Sequence, residues 1–169
     1  MSEKIETLLK ESRTYQPSAK TKAAAHIQNY EAEYKKSIAD PEAFWNGVAK
    51  ELDWFTPWTK VLEWNYPFAK WFVGATCNIS YNCLDRHVKN GRKNKVAVIW
   101  VGENDTERVF TYGQLYRQVN RCANALKKLG LKKGDRVTIY LPKIPEQIVA
   151  MLACARIGVI HSVVYSGFS

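Results

Sequence analysis

From Thr111 to Tyr165 the chain reads as helix, strand, helix, strand, and that alternation constrains its fold more than any other feature. Thr111-Tyr112-Gly113-Gln114 has the form of a capping box, in which the threonine caps a helix and the glutamine reaches back. Behind it Tyr112, Leu115, Val119, Cys122, Leu126 and Leu129 recur at alternating steps of three and four. A coiled coil is the competing reading, but so short a run ending in Gly130 favours a helix lying on a sheet. Lys132-Lys133-Gly134-Asp135 makes a turn into a strand over 136–141 that carries Val137, Ile139 and Leu141. Pro145 opens the next helix, with Ile148, Met151, Leu152 and Ala155 expected inward, until Gly158 ends it. A strand rich in β-branched residues follows over 159–165. This order predicts an α/β fold with a parallel sheet and crossover helices. So few strands would leave sheet edges and one face bare, so the layer is expected to be incomplete.

The segments before Thr111 are of another kind. Gln16-Pro17-Ser18 is read as a surface arm. Ile27, Tyr30, Tyr34 and Ile38 predict a helix. Asp40-Pro41-Glu42 supplies an N-cap, a first helical residue and an early acid for another through Leu52, with Phe44, Trp45, Val48 and Leu52 as its buried stripe. Between Asp53 and Ile79 periodicity fails. Pro57 and Pro67 interrupt, and Trp54, Phe55, Trp58, Trp64, Tyr66, Phe68, Trp71 and Phe72 dominate, which predicts irregular, aromatic-rich structure wrapped on a larger body. Five of the six Trp lie between Trp45 and Trp71, the pattern of one packed aromatic layer. Ser80 is expected to cap a short helix to Lys89 that Asn90-Gly91 ends. The apolar run Val96-Ala97-Val98-Ile99-Trp100-Val101 predicts a buried strand, Gly102-Glu103-Asn104-Asp105 a turn, and Arg108-Val109-Phe110 a short paired strand.

Composition narrows the function classes. A net charge of +9 raises nucleic acid as a partner, but neither basic cluster (Arg86, Lys89, Arg92, Lys93, Lys95; Lys127, Lys128, Lys132, Lys133, Arg136) accompanies a nucleic-acid motif. A solvated surface that meets phosphate groups of a small ligand is the better reading. The cysteines Cys77, Cys83, Cys122 and Cys154 have no metal-binding spacing, and Cys122 and Cys154 fall at core positions of helices. No metal site is expected. The sequence has no apolar run of about 18 residues and opens on a charged amphipathic stretch, so a cytoplasmic protein without a membrane partner is expected.

Nucleotide motifs of two familiar kinds, G-x-G-x-x-G and Walker A, are absent. Asp85-Arg86-His87 brings an acid, a guanidinium and an imidazole together, but consecutive helical residues point in different directions. His87 is therefore assigned to capping and ion pairing, His161 to a hydrogen-bonded core position, and His26 to a helix start. Tyr165-Ser166-Gly167 is different. It follows a strand at its carboxyl end, where parallel α/β sheets place ligands and small residues let a ligand approach the backbone.

Taken together these segments resemble the opening of the AMP-forming acetyl-CoA synthetases, within the adenylate-forming superfamily. The resemblance rests on Asp40-Pro41-Glu42-Ala43-Phe44-Trp45, Pro67-Phe68-Ala69-Lys70-Trp71-Phe72 and Asn78-Ile79-Ser80-Tyr81-Asn82-Cys83-Leu84-Asp85-Arg86-His87. It continues through Lys133-Gly134-Asp135-Arg136-Val137, Ile144-Pro145-Glu146, Met151-Leu152-Ala153-Cys154-Ala155-Arg156-Ile157-Gly158 and Gly167-Phe168-Ser169. It implies a helical and irregular N-terminal region over 1–95, then the start of an AMP-binding α/β domain over 96–169 within a larger adenylate-forming fold. It also implies a two-step ligase that uses acetate, ATP, Mg²⁺ and coenzyme A, with propionate or another short-chain acid as alternative substrate and a basic nucleic-acid module as the alternative class. In such enzymes the phosphate loop, acyl pocket and catalytic lysine come later than the position of Ser169. The remainder of the enzyme is therefore an expected partner, no catalytic residue is assigned here, and the chain alone is expected to be inactive. Tyr165, Ser166 and Gly167 would border the coenzyme A nucleotide, with Ser166 standing where relatives typically carry glycine.

Overall fold

The computed structural model describes residues 13–165 and 167. The chain divides into two compact units that meet in sequence between Trp45 and Asn46. In the first, α1 (Ala19–Ala24) is capped by Ser18, whose hydroxyl accepts from the Thr21 N–H at 3.1 Å. Helix α2 (Tyr30–Ala39) is capped by the Asn29 side chain, with Glu31 and Glu33 complementing the positive end of the helix dipole. Helix α3 (Pro41–Ala49) opens as its sequence requires: the Asp40 carboxylate accepts from the Ala43 N–H at 2.9 Å. The buried stripe expected on this helix is not found. Trp45, Val48 and Leu52 are exposed and Phe44 is half-buried, and Phe44 and Trp45 meet edge to face at 5.3 Å between ring centroids.

The second unit begins with a correction. Residues expected to be irregular form an antiparallel hairpin, β1 (Lys60–Asn65) and β2 (Phe68–Val73), with Leu62 opposite Trp71, Trp64 opposite Ala69 and a turn at Tyr66-Pro67. Strand pairing satisfies backbone groups that an irregular apolar segment would leave without partners. The period was hidden because large rings occupy both faces: Trp64 and Phe68 are exposed, whereas Phe72 packs inward on Trp54 and Trp58 at 5.4 and 5.1 Å. Phe72 takes the left-handed backbone region (φ 52°), uncommon for a bulky residue.

A wide helical stretch over residues 79–92 follows, with π-type turns at Tyr81–Asp85 and Val88–Arg92. Ser80 does not cap it. Ser80 is itself helical and buried, and Asn78 caps instead, its side-chain oxygen accepting from the Tyr81 N–H. The helix continues past Lys89 but breaks its geometry at Asn90 and Gly91, where φ of Gly91 turns positive. Strands β3 (Val96–Val101) and β4 (Glu107–Thr111) pair antiparallel. Helix α4 (Tyr112–Lys128) carries both bonds of the expected capping box. Strand β5 (Arg136–Ile139), helix α5 (Pro145–Ile157) and strand β6 (Ile160–Val163) complete a β-α-β unit whose strands pair parallel, Val137 with His161 and Ile139 with Val163.

The core lies between α4 and α5. Leu115, Val119 and Ala123 repeat at four-residue steps, as do Pro145, Val149 and Ala153, and Leu84 closes the cluster from the wide helix. Matching four-residue ridges with alanine on both helices permit close approach. The inward face of α5 is thus rotated from expectation: Val149, Ala153 and Cys154 are buried, Met151, Leu152 and Ala155 are half-buried, and Ile148 is exposed. The architecture is mixed α/β, with three two-stranded sheets among the described residues.

Candidate functional site

Two crossing features build a cleft at the carboxyl ends of the parallel strands. The Val164 N–H donates to the Ile139 carbonyl at 2.9 Å, so β5 and β6 remain paired to their ends, just before Tyr140 and Tyr165. After β5 the chain turns sharply at Pro142-Lys143-Ile144, where the Ile144 N–H donates to the Pro142 carbonyl at 2.8 Å. Pro145 then starts α5 without a side-chain cap. The other wall is the β3–β4 hairpin turn, closed by the Gly102 N–H donating to the Thr106 carbonyl at 2.9 Å, with Asp105 in the left-handed region (φ 58°).

Trp100 joins the two walls. Its indole N–H donates to the Lys143 carbonyl at 2.7 Å, 43 residues along the chain. The Arg108 guanidinium lies 5.8 Å from the Trp100 ring centroid and 5.2 Å from that of Phe110. The same guanidinium grips Glu146 with two hydrogen bonds of 2.6 and 3.2 Å, holding β4 to the first turn of α5. That pairing keeps the Glu146 carboxyl below its ordinary range, against a smaller opposing effect of burial. The resulting open cleft has a volume of about 760 Å³, with Trp100, Gly102, Glu103, Asn104, Lys143 and Tyr165 in its lining. Gly167 also borders it, so two of the three residues singled out from sequence meet in one hollow. Ser166 lies outside the described residues. Sequence reading missed Trp100 and Lys143, whose roles depend on contacts between distant segments.

The other candidates disperse. Asp85 forms a two-pronged pair with Arg156 at 3.1 and 2.5 Å, Arg86 donates to the Glu51 carbonyl at 2.7 Å, and His87 packs on Tyr112 at 5.0 Å between centroids. Burial, and then the neighbouring Arg86, push the His87 pKa down. His161 is half-buried on β6, and His26 is exposed. Cys154 is buried, Cys122 half-buried, and burial pushes both thiols up. Among the described residues no three His, Cys, Asp or Glu side chains gather to hold a metal ion, and no helix is long and apolar enough to cross a membrane.

Comparisons with known proteins fall on the same segments. Residues 30–83 match the family model described as acetyl-coenzyme A synthetase N-terminus, and residues 84–169 match that of the AMP-binding enzyme. The chain is 54% identical over 165 residues to the acetyl-coenzyme A synthetase of Gemmatimonas aurantiaca, covering 98% of this chain and 25% of that protein. It is 60% identical over 129 residues to that of Methanothrix thermoacetophila, covering 75% and 19%. Among solved structures it resembles acetoacetyl-CoA synthetase from Streptomyces lividans, with a TM-score of 0.76 and 32% identity over 89% of this chain and 23% of that one. The chain therefore spans about a quarter of the length of the relatives it matches. With one model covering half of its residues and a second adjoining it without a gap, the chain belongs to the family of AMP-binding enzymes.

Proposed function

We propose that these residues are the opening part of an AMP-forming acetate–CoA ligase, that the cleft lined by Tyr165 and Gly167 is the edge of its coenzyme A site, and that Ser166, between them in sequence, shares in that contact. One observation carries the reading: two adjoining family models cover 30–169 in order, at about half identity to acetyl-coenzyme A synthetases. In this reading residues 1–95 are the helical, aromatic-rich opening region. Residues 96–169, beginning with β3, start the AMP-binding domain of a larger adenylate-forming fold.

The overall reaction has two displacements. An acetate oxygen attacks the α-phosphorus of ATP and the bond to pyrophosphate breaks. The coenzyme A sulfur then attacks the acetyl carbonyl, its proton is lost, and AMP leaves. Developing phosphate charge calls for Mg²⁺ and cationic donors. The described residues offer no fitting metal cluster, so no step of this chain is routed through the metal. What the chain contributes is positioning: an aromatic face at Tyr165 for a base or pantetheine arm, and at Gly167 a residue without Cβ that lets the Tyr165 ring lie close against the cleft backbone.

The test uses the full-length polypeptide that carries these residues. Acetate-dependent exchange of pyrophosphate into ATP is expected, with propionate a poorer substrate. Absence of exchange with both acids overturns the ligase reading, and a preference for propionate moves it to a short-chain relative. The 169 residues alone are expected to form no acetyl-CoA.

A further inference from the structure

We infer that Lys143 binds a phosphate group of the nucleotide held in the cleft, with Trp100 fixing the turn that presents it. The inference rests on the coenzyme A reading of that cleft and names a residue for which sequence reading gave no sign. Lys143 is the middle residue of the turn closed between Pro142 and Ile144, so its side chain leaves at the apex. Its carbonyl accepts the Trp100 indole N–H, and Trp100 is in turn covered by Arg108. The backbone beneath the ammonium is thereby held from the opposite wall.

The side chain is also directed. Its ammonium lies 5.4 Å from the centroid of the Tyr165 ring, a cation–π arrangement on the residue that marks the cleft. Lys143 and Tyr165 line both the main cleft and a smaller adjoining hollow of about 210 Å³, so the pair forms the ridge between them. Among the described residues no carboxylate lies within ion-pair distance of this ammonium, and it is the only cation in the cleft lining. A lysine pre-set against a ring loses less freedom when an anion arrives than one extended in solvent. Glu103, on the β3–β4 turn, is the one acid in the described lining. It disfavours phosphate at that end and leaves the Lys143–Gly167 end as the anionic subsite. The start of α5 directly after this turn adds the positive end of a helix dipole in the same place.

The experiment is a calorimetric titration of the full-length protein with coenzyme A and with 3′-dephospho-coenzyme A, comparing the native residue with Lys143→Ala and Lys143→Arg. Lys143→Ala is expected to weaken coenzyme A about tenfold, and Lys143→Arg to restore binding to within about threefold. If the lysine holds the 3′-phosphate, only coenzyme A weakens in Lys143→Ala; if it holds the diphosphate, both ligands weaken. Either result supports the assignment. Unchanged coenzyme A binding in Lys143→Ala overturns it, as does failure of arginine to restore. Because binding is read directly, loss of the ligase reading shows separately, as a wild-type protein without acetate-dependent exchange.

Discussion

The helix pair α4–α5 and the aromatic hairpin β1–β2 are both built from apolar residues, yet they use them in opposite ways. Between the helices, small and branched side chains at four-residue steps are removed from water almost completely: Val119 and Ala153 retain no exposed surface and Leu84 only 1%. Around the hairpin, Trp54, Trp58 and Phe72 meet ring to ring at 5.1 to 5.4 Å, while Trp64 and Phe68 on the same hairpin remain 64% and 73% exposed. The first region derives its stability from closeness of fit, which any cavity disturbs. In the second it comes from ring contacts that are partly wet and more tolerant. The comparison teaches that apolar content alone does not locate a core; the regularity with which it recurs does.

The strongest test of that division is the ion pair at the base of α5. Arg156 and Asp85 retain only 19% and 11% of their side-chain exposure, and Asn78 donates to the Ala155 and Arg156 carbonyls beside them. These contacts tie the wide helix over 79–92 to the end of α5. Arg156→Ala leaves the Asp85 carboxylate buried without its partner and is expected to cost about 3 kcal/mol in urea denaturation. Adding Asp85→Asn should recover part of that loss, because the stranded charge is gone. A loss below about 1 kcal/mol would make the pair equivalent to a surface one and leave Leu84 as the main tie of the wide helix to the core.

Next in size is a direct contrast of the two regions. Leu84→Ala empties a filled site between the helices and is expected to cost about 3 kcal/mol. Trp58→Ala removes a larger side chain, yet it is half-buried, hydrogen-bonded through its indole N–H to Asn46 at 3.1 Å, and flanked by rings that can resettle. A loss of about 2 kcal/mol is expected there. If denaturation ranks Trp58→Ala above Leu84→Ala, the aromatic layer is the better-packed region and the comparison reverses.

Legibility from sequence follows the same line. The Thr111 capping box and the α4 stripe could be read because cap, hydroxyl and period all lie within one element and agree. The hairpin could not, because Trp64, Phe68 and Trp71 put large rings where alternation would call for polar residues. Asn78 outcompeted Ser80 as a cap because its amide has a second task, donating to carbonyls at the end of α5. At the cleft, strand order and small residues pointed to Tyr165 and Gly167. Nothing local to Trp100 or Lys143 announces them, since a ring N–H meeting a carbonyl 43 residues away is a property of the fold.

The smallest effect concerns the bond between the hairpin β3–β4 and α5. Arg108 and Glu146 form a two-pronged pair but retain 39% and 47% of their side-chain exposure. The hydrogen bond from Arg108 lowers the folded-state pKa of Glu146 below the ordinary carboxylate value. A carboxyl whose pKa is lower in the folded chain stabilises it above the unfolded pKa, and that stability is lost as pH falls through the lowered folded value. Screening at this exposure limits the contribution to less than about 1 kcal/mol, and added salt should reduce it further. Urea denaturation at neutral pH and near pH 3 should therefore show a slightly smaller acid loss in Glu146→Gln than in the native chain. A larger loss at neutral pH than that of Trp58→Ala would mean that the pair is worth more than its exposure allows. The hairpin would then be held to α5 as firmly as the helices are held to each other, and the contrast between closely fitted and tolerant regions would no longer separate the sheet from the core.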